Sequence, residues 1–221
     1  MNRHWVRTIL ILYIDEIKLV LENTFEKNSI DLLFLQVCTK GVIEALYEFK
    51  DTAKYTLCSQ IELGAPNYYY PGFFSAFSNQ TISTGHEAAD LIVSNEADDM
   101  YNSYTLIDNT KLDNLFLLFN DLINQIKDTS VSSRNPISVR YYDEVYWDII
   151  SLLENIPNSA SGLKLTEYIK NELIVFHKIN PFQSRKMSRY SGLSISGETD
   201  DKYDRLAFYK LLKPIRDLYK N

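Results

Sequence analysis

The residues best suited to chemistry lie in one stretch near the carboxyl end of the chain, from Phe176 to Arg189. The stretch contains His177, a side chain that accepts a proton near neutral pH. It also contains Arg185, Lys186 and Arg189, which concentrate positive charge in a chain whose net charge is −6. Lysine and arginine side chains bind phosphate groups, arginine in a bidentate manner. One interpretation of the stretch is therefore a loop in which these residues hold a phosphorylated ligand.

Two other interpretations of these residues stay open. His177 also fits a partly buried position on an apolar helix that precedes the loop. Arg185, Lys186 and Arg189 also fit a solvated loop, or a surface that contacts an acidic partner. All of these interpretations place the basic loop at the end of a helix. They differ in whether the loop binds a ligand, contacts a partner or faces solvent.

The stretch resembles the signature loop of the Fic/Doc family, which reads H-P-F-x-x-G-N-G-R-x-x-R. Ile179, Pro181 and Phe182 stand where that family commonly has Ile, Pro and Phe. Asn180 stands at the position of the family's catalytic histidine, so the resemblance makes Asn180 the catalytic position and His177 a surrogate for the missing base. The positions of the family's two glycines hold Arg185 and Met187, and Lys186 stands in place of the asparagine between them. The two arginine positions hold Ser188 and Ser191.

These departures remove chemistry that the family's activity needs. In the family, the histidine takes a proton from a target hydroxyl, which attacks the α-phosphate of ATP, and Asn180 has no such proton-accepting function. The family's glycines let backbone N–H groups turn toward the phosphates, and Arg185 and Met187 do not adopt positive φ cheaply. The resemblance therefore implies a Fic-like regulatory or interaction protein with lost or altered nucleotide transfer.

Ser83 and Glu87 resemble the inhibitory motif of the same family, S/T-x-x-x-E-G/N, although Ala88 departs from it. The resemblance implies that Glu87 approaches the basic loop, where Arg189 is the nearest substitute for the motif's last arginine. The alternative is that Glu87 is a solvated residue in the first turn of a helix capped by Ser83 or Thr84.

Two further functions remain open beside the regulatory one. The first is an active Fic-type transferase with a remodelled site, which adds AMP or another phosphate-containing group to a protein hydroxyl. That enzyme would use ATP and Mg²⁺, whereas the regulatory protein needs no cofactor. The second is an unrelated acidic helical binding protein, similar to immunity proteins or antitoxins. All three functions imply a protein partner.

Composition limits the class of protein further. A net charge of −6 argues against binding to a nucleic-acid backbone, which needs a basic face. Cys38 and Cys58 have no metal-ligand spacing, and we expect both to be ordinary buried thiols. No segment approaches the roughly 20 apolar residues of a membrane span, so we expect no membrane contact. The protein is expected in the cytoplasm, or delivered to a host or target cell by a route that the sequence does not show.

The elements that position these residues are mainly helical. Apolar residues at helical spacing and few glycines predict an all-α fold with a short β-hairpin, divided into an N-terminal helical extension at 1–65 and a Fic-like helical domain at 70–221. The predicted helices are Trp5–Glu22, Ile30–Phe49, Leu112–Ile126, Val145–Ile156, Leu163–His177 and Tyr203–Tyr219, the last interrupted by Pro214. The predicted hairpin strand is Ile137–Tyr142. The expected core contains Leu115, Phe119, Leu122, Leu152, Leu165, Ile169, Leu173 and Phe182.

Overall fold

The computed structural model describes residues 13–65, 67–79, 82–126, 135–156, 159–197 and 203–219. Its strands are β1 (Ile30–Phe34), β2 (Ala53–Cys58), β3 (Ser103–Asp108), β4 (Ser138–Tyr141), β5 (Glu144–Asp148), β6 (Ile174–Ile179) and β7 (Ser194–Ser196). Its α-helices are α1 (Ile14–Thr24), α2 (Ile43–Tyr47), α3 (Tyr69–Asn79), α4 (Gly85–Asn95), α5 (Leu112–Ile126), α6 (Ile149–Glu154), α7 (Ala160–Tyr168), α8 (Ser184–Met187), α9 (Ala207–Leu211) and α10 (Lys213–Leu218). None of the helices in the described part of the chain is long and apolar enough to cross a membrane.

Two β-sheets organise the fold, so the predicted all-α class is wrong. The first sheet has the strand order β1-β2-β3-β6, in which β1 and β2 are parallel and the other pairs are antiparallel. The second sheet has the order β4-β5-β7 and is antiparallel. Strands from both sides of the predicted boundary near residue 65 pair in the first sheet. The fold is a mixed α/β fold.

The first sheet is covered on both faces. Leu57 and Leu106 belong to a core shared with α3 and α4. Their neighbours Cys58 and Ile107 point to the opposite face and join the core formed with α5, α6 and α7. Strands buried on both faces are apolar throughout rather than alternating, and short apolar runs do not distinguish strand from helix by period. The short apolar runs of β1 and β6 fall inside predicted helices for this reason, since their spacing alone does not exclude a helix.

Several elements are as predicted. Helix α5 has the predicted bounds, and its apolar stripe is buried in the largest core. The predicted hairpin strand appears as β4, paired with β5. Pro214 divides the last helix into α9 and α10, and it occupies the first turn of α10, where its missing N–H group leaves no hydrogen bond unmade. The predicted helix at 163–177 is instead α7, a π-helical turn at Ile169–Leu173, and strand β6.

A buried ion pair connects α2 to α10. Glu44 and Arg216 are both almost fully buried, and Arg216 Nη1 donates to Glu44 Oε1 at 3.3 Å. The backbone N–H of Ser196 also donates to this carboxylate, at 3.0 Å. The guanidinium of Arg216 stacks 3.5 Å from the ring centre of Tyr209 and donates to that residue's carbonyl. Burial raises the pKa of Glu44 to about 7, although the neighbouring N–H groups and Arg216 oppose the rise.

This raised pKa predicts a specific pH dependence of stability. A carboxyl group with a higher pKa in the folded state stabilises the fold fully below pH 4.5, its ordinary value, and loses that contribution as pH rises through about 7. The free energy of unfolding of the native protein should therefore fall relative to that of Glu44→Gln, by on the order of 1 kcal/mol per pH unit. Urea unfolding of both proteins between pH 4.5 and 7.5 measures this difference. Parallel curves for the two proteins would contradict it.

Candidate functional site

The two parallel strands define an edge of the first sheet where chemistry can be placed. The carboxyl ends of β1 and β2 lie side by side, and ligands in open α/β sheets bind outside such strand ends. The loop after β1 carries Cys38, and the loop after β2 runs from Ser59 to Leu63. Backbone hydrogen bonds join the two loops, from Thr39 N to Ile61 O at 3.0 Å and from Gly41 N to Ser59 O at 2.7 Å.

Cys38 is held at the junction of these loops. Its thiol donates to the carbonyl of Leu63 at 3.4 Å, and the N–H of Leu63 donates back to the sulfur at 3.3 Å. The next residue, Thr39, has a φ of 56°, a left-handed conformation that is uncommon for a non-glycine residue. Its hydroxyl donates to the carbonyl of Cys38 at 2.8 Å. Such local strain is frequent at functional sites, so this turn is a candidate for one.

The two cysteines differ in their environments. Cys58 lies in the middle of the first sheet, fully buried, with its thiol 3.6 Å from the carbonyl oxygen of Thr105. Burial raises the pKa of the Cys58 thiol to about 12, which makes it unreactive. Cys38 is partly exposed, so the expectation that both thiols are buried is wrong for Cys38. Only Cys38 is accessible to a substrate.

The turn of the β4–β5 hairpin lies over Cys38. The hydroxyl of Tyr141 interacts with the Cys38 sulfur, and this interaction, followed by burial, raises the pKa of Tyr141 to about 12. The neighbouring Tyr142 is 87% exposed, and its ring contacts that of Tyr141 edge to face. The thiol is therefore bordered by the loop after β2 on one side and by the hairpin turn on another.

A buried polar network fixes the loop after β2. Gln60 is 1% exposed, and its side-chain nitrogen donates to the Asp148 carboxylate at 2.9 Å and to the carbonyl of Leu193 at 2.7 Å. Its side-chain oxygen accepts the N–H of Gly192 at 2.8 Å. Asp148 also accepts the N–H and the hydroxyl of Ser191, at 2.6 and 2.8 Å. The network connects the Cys38 region to the second sheet.

The loop after β1 also carries Gln36, ahead of Cys38. Gln36 precedes Cys38 by two residues, and its side-chain oxygen accepts from the hydroxyl of Tyr70 at 3.2 Å. Burial raises the pKa of Tyr69, and a hydrogen bond with the Gln36 side chain opposes that rise. The rings of Tyr69 and Tyr70 stack beside this side chain, with centroids 4.3 Å apart.

The contacts of His177 and Asn180 are with groups of the fold. His177 lies on β6 rather than on a helix, and burial lowers the pKa of its ring while Asp148 opposes that shift. Asn180 is 1% exposed, its side-chain nitrogen donates to the carbonyls of Asp98 and Tyr101, and its side-chain oxygen accepts the N–H of Phe182. Neither residue forms a hydrogen bond with Cys38 in the described part of the chain.

The remaining predicted site residues form two separate groups, one at the start of α4 and one around α8. Glu87 forms a capping box with Thr84 at the start of α4 and accepts the N–H and hydroxyl of Ser83, so the capping alternative describes it. These donors lower the pKa of Glu87. Phe182, expected in the core, is 79% exposed. Lys186 and Arg189 line a surface cavity together with Arg140, whereas Arg185 does not line it. Among the described residues, no cluster of His, Cys, Asp or Glu could hold a metal ion.

Sequence and structure comparisons identify relatives of this chain. The sequence model of the clostripain family, peptidase C11, matches residues 8–192. A cysteine protease of B. fragilis has a similar structure, with a TM-score of 0.69, 16% identity, and 95% of this chain and 96% of that chain covered. A clostripain from Bacteroides thetaiotaomicron, solved with a peptide inhibitor, gives a TM-score of 0.68 at 18% identity and covers 95% of this chain and 98% of that chain.

A third similar structure has a longer chain than this protein. A secreted C11 cysteine protease from Bacteroides thetaiotaomicron, in complex with an irreversible peptide inhibitor, has a TM-score of 0.67 at 15% identity; the match covers 97% of this chain and 68% of that chain. A search of curated proteins found no match. These findings overturn the resemblance to Fic/Doc proteins, together with the regulatory, transferase and immunity-like functions. ATP and Mg²⁺ follow only from that resemblance, so they have no further basis.

Gln60 should be essential for the stability of the site. Replacing it by alanine leaves the Asp148 carboxylate and the N–H of Gly192 buried without these partners. We expect Gln60→Ala to lower the free energy of unfolding by about 2–4 kcal/mol, because each unpaired buried group carries its desolvation cost. Gln183→Ala is the matched control, since Gln183 is exposed. Urea unfolding measures both, and an equal effect of the two variants would contradict the role of the network.

Proposed function

Because this chain belongs to the clostripain family, we propose that it is a cysteine peptidase in which Cys38 is the nucleophile. A thiol nucleophile must be reachable by substrate and must lie where substrate binds. The observation that carries the proposal is the position of Cys38, partly exposed at the carboxyl ends of two parallel strands and preceding a strained turn. Cys58, the other cysteine in the chain, is enclosed in the sheet and meets neither condition.

The proposed reaction proceeds through a covalent intermediate. The Cys38 thiolate attacks the carbonyl carbon of a peptide bond, and a carbon–sulfur bond forms as the carbon–nitrogen bond breaks. The departing amine takes a proton from the protonated base. Water then attacks the thioester, which releases the new carboxyl group and returns the thiol. Leu63 and Tyr141, which contact the sulfur, hold it in place at the start of this sequence.

The base that accepts the thiol proton is expected outside the described residues. His177 is partly buried on β6, and His86 pairs with Asp90 on α4 at 3.3 Å. Neither forms a hydrogen bond with the Cys38 sulfur in the described part of the chain. Two candidates for the base remain. One is His4, and the other is a histidine of a second polypeptide that pairs with the edge of β1. Among the described strands β1 pairs with β2 alone, and every residue of β1 is at least partly exposed, so this edge is open to a further strand.

A peptide-cleavage assay tests the proposal. The protein, isolated with any polypeptide that stays bound to it, should cleave members of a mixed peptide library, as detected by mass spectrometry. Cys38→Ala should reduce the rate by on the order of 10³-fold or more, since it removes the nucleophile. Cys58→Ala is the matched control and should retain activity within a few-fold, because Cys58 lies inside the sheet.

The same assay separates the two sources of the base. Loss of cleavage in His4→Ala would identify His4, and unchanged cleavage would identify a bound polypeptide. The proposal fails if the native protein cleaves no peptide of the library. It fails also if Cys38→Ala cleaves as fast as the native protein.

A further inference from the structure

A surface cavity of about 240 Å³ opens where three parts of the fold meet. Its walls come from the loop after β2, from strand β4, and from the end of α8 with the residues that follow it. Drug-sized ligands occupy pockets of roughly 300–1,000 Å³, so this cavity suits a smaller ligand. No step of the proposed peptidase reaction involves the cavity, so its lining is a separate guide to what the protein binds.

The lining of the cavity has a surplus of positive charge. Arg140, Lys186 and Arg189 supply three cations and Glu62 supplies one carboxylate, which leaves a surplus of two positive charges. None of the three cations forms a salt bridge with a carboxylate of the described residues. Cations that share a cavity repel one another, and an anion that binds among them relieves this repulsion. The surplus is local, because the chain as a whole carries a net charge of −6.

The three cations are held in place by the fold. The guanidinium of Arg189 stacks 4.8 Å from the ring centre of Tyr190, and one of its nitrogens donates to the Tyr190 hydroxyl at 2.7 Å. A guanidinium has several N–H donors, so this bond leaves others for an anion. Arg140 lies on the paired strand β4, and Lys186 precedes the buried Met187. Groups whose positions are already fixed lose less conformational entropy when they bind a ligand.

Charge and geometry together select the kind of anion. A phosphate group carries a charge of about −1.5 to −2 near pH 7, which matches the surplus of the lining, whereas a carboxylate carries −1. Its acceptor oxygens surround the phosphorus atom, so cations that come from two walls of the cavity can each contact a different oxygen. A carboxylate has two oxygens in one plane, which one guanidinium fork satisfies.

From this match in charge and geometry we propose that the cavity binds a phosphate group, either as inorganic phosphate or as the monoester of a small molecule. Arg189 and Arg140 donate to the phosphate oxygens, and Lys186 supplies a further positive charge. Arg185, which the sequence grouped with these cations, does not line the cavity and takes no part. The phosphate site is independent of the assignment of Cys38 as a nucleophile.

Thermal unfolding of the native protein tests the site without any catalytic readout. Phosphate binds the folded cavity and not the unfolded chain, so at ten times its Kd it should raise the Tm by about 3–6 °C. Sodium chloride and sodium acetate at the same ionic strength are the comparisons, and they should raise the Tm by less than about 1 °C. If acetate or chloride raises the Tm as much as phosphate does, the cavity does not select phosphate and the site is overturned.

Charge-removing variants locate the binding. Isothermal titration calorimetry with phosphate should show a Kd at least about tenfold weaker for the double variant Arg140→Gln, Arg189→Gln than for the native protein. Arg185→Gln is the matched control, because Arg185 is a neighbouring exposed cation outside the cavity, and it should change the Kd less than twofold. If Arg185→Gln weakens binding as much as the double variant does, a diffuse field attracts the anion and the site is overturned.

A second titration distinguishes the two sources of the phosphate group. Glycerol 3-phosphate replaces inorganic phosphate against the native protein. Tighter binding of glycerol 3-phosphate would support a site for phosphate monoesters, and tighter binding of inorganic phosphate would support a site for the free ion. If neither binds with a Kd below about 10 mM, the site is overturned. This titration and the comparison with acetate use only the native protein, so they decide the question when a variant fails to fold.

Discussion

The bond between Gln60 and Asp148 is the contact on which the geometry of the candidate site depends. A buried carboxylate is stable only when donors surround it, and Asp148, 1% exposed, receives hydrogen bonds from Gln60, Ser191 and the N–H of Ser151. Gln60 follows β2 of the first sheet, whereas Asp148 ends β5 of the second. The bond therefore joins the two sheets and fixes the loop that touches Cys38.

This network also explains why glycine occupies position 192. Gly192 has a φ of +98°, and a Cβ atom there would approach the hydroxyl oxygen of Thr105 to 2.6 Å and the His177 ring to 3.0 Å. Its N–H donates to Gln60, and its carbonyl accepts from the Thr105 hydroxyl at 2.9 Å. His177 thus packs against Gly192, which accounts for a partly buried histidine that takes no part in the proposed reaction.

The sequence predicts an element correctly where the regular spacing of its apolar residues stops at the end of that element. Helix α5 was predicted with its observed bounds, because its stripe is uninterrupted and one face is solvated. The predicted helix at 30–49 was wrong, because apolar residues at helical spacing continue from strand β1 into α2 across an intervening loop. Val37, an apolar residue inside that predicted helix, is 54% exposed in the loop.

The candidate site could not be predicted for a related reason. Cys38 and Cys58 are equivalent in the sequence, and only tertiary burial separates a partly exposed thiol from an enclosed one. Asn180 before Pro181 follows a strand rather than a helix. Proline keeps the preceding residue out of the helical region in either case, so the sequence could not distinguish the two. The hairpin that brings Tyr141 to the site pairs with residues distant in the chain.

The central claim is that this parallel-strand edge holds Cys38 as a peptidase nucleophile, and its most direct test is to trap the covalent intermediate. The native protein is mixed with the activated esters of a mixed set of short peptides, quenched with acid within milliseconds to seconds, and digested for mass spectrometry. The account predicts an acyl group on the fragment that contains Cys38 and none on the fragment that contains Cys58. Turnover of the ester with no adduct on Cys38 at any time, or an adduct on another residue, would contradict it.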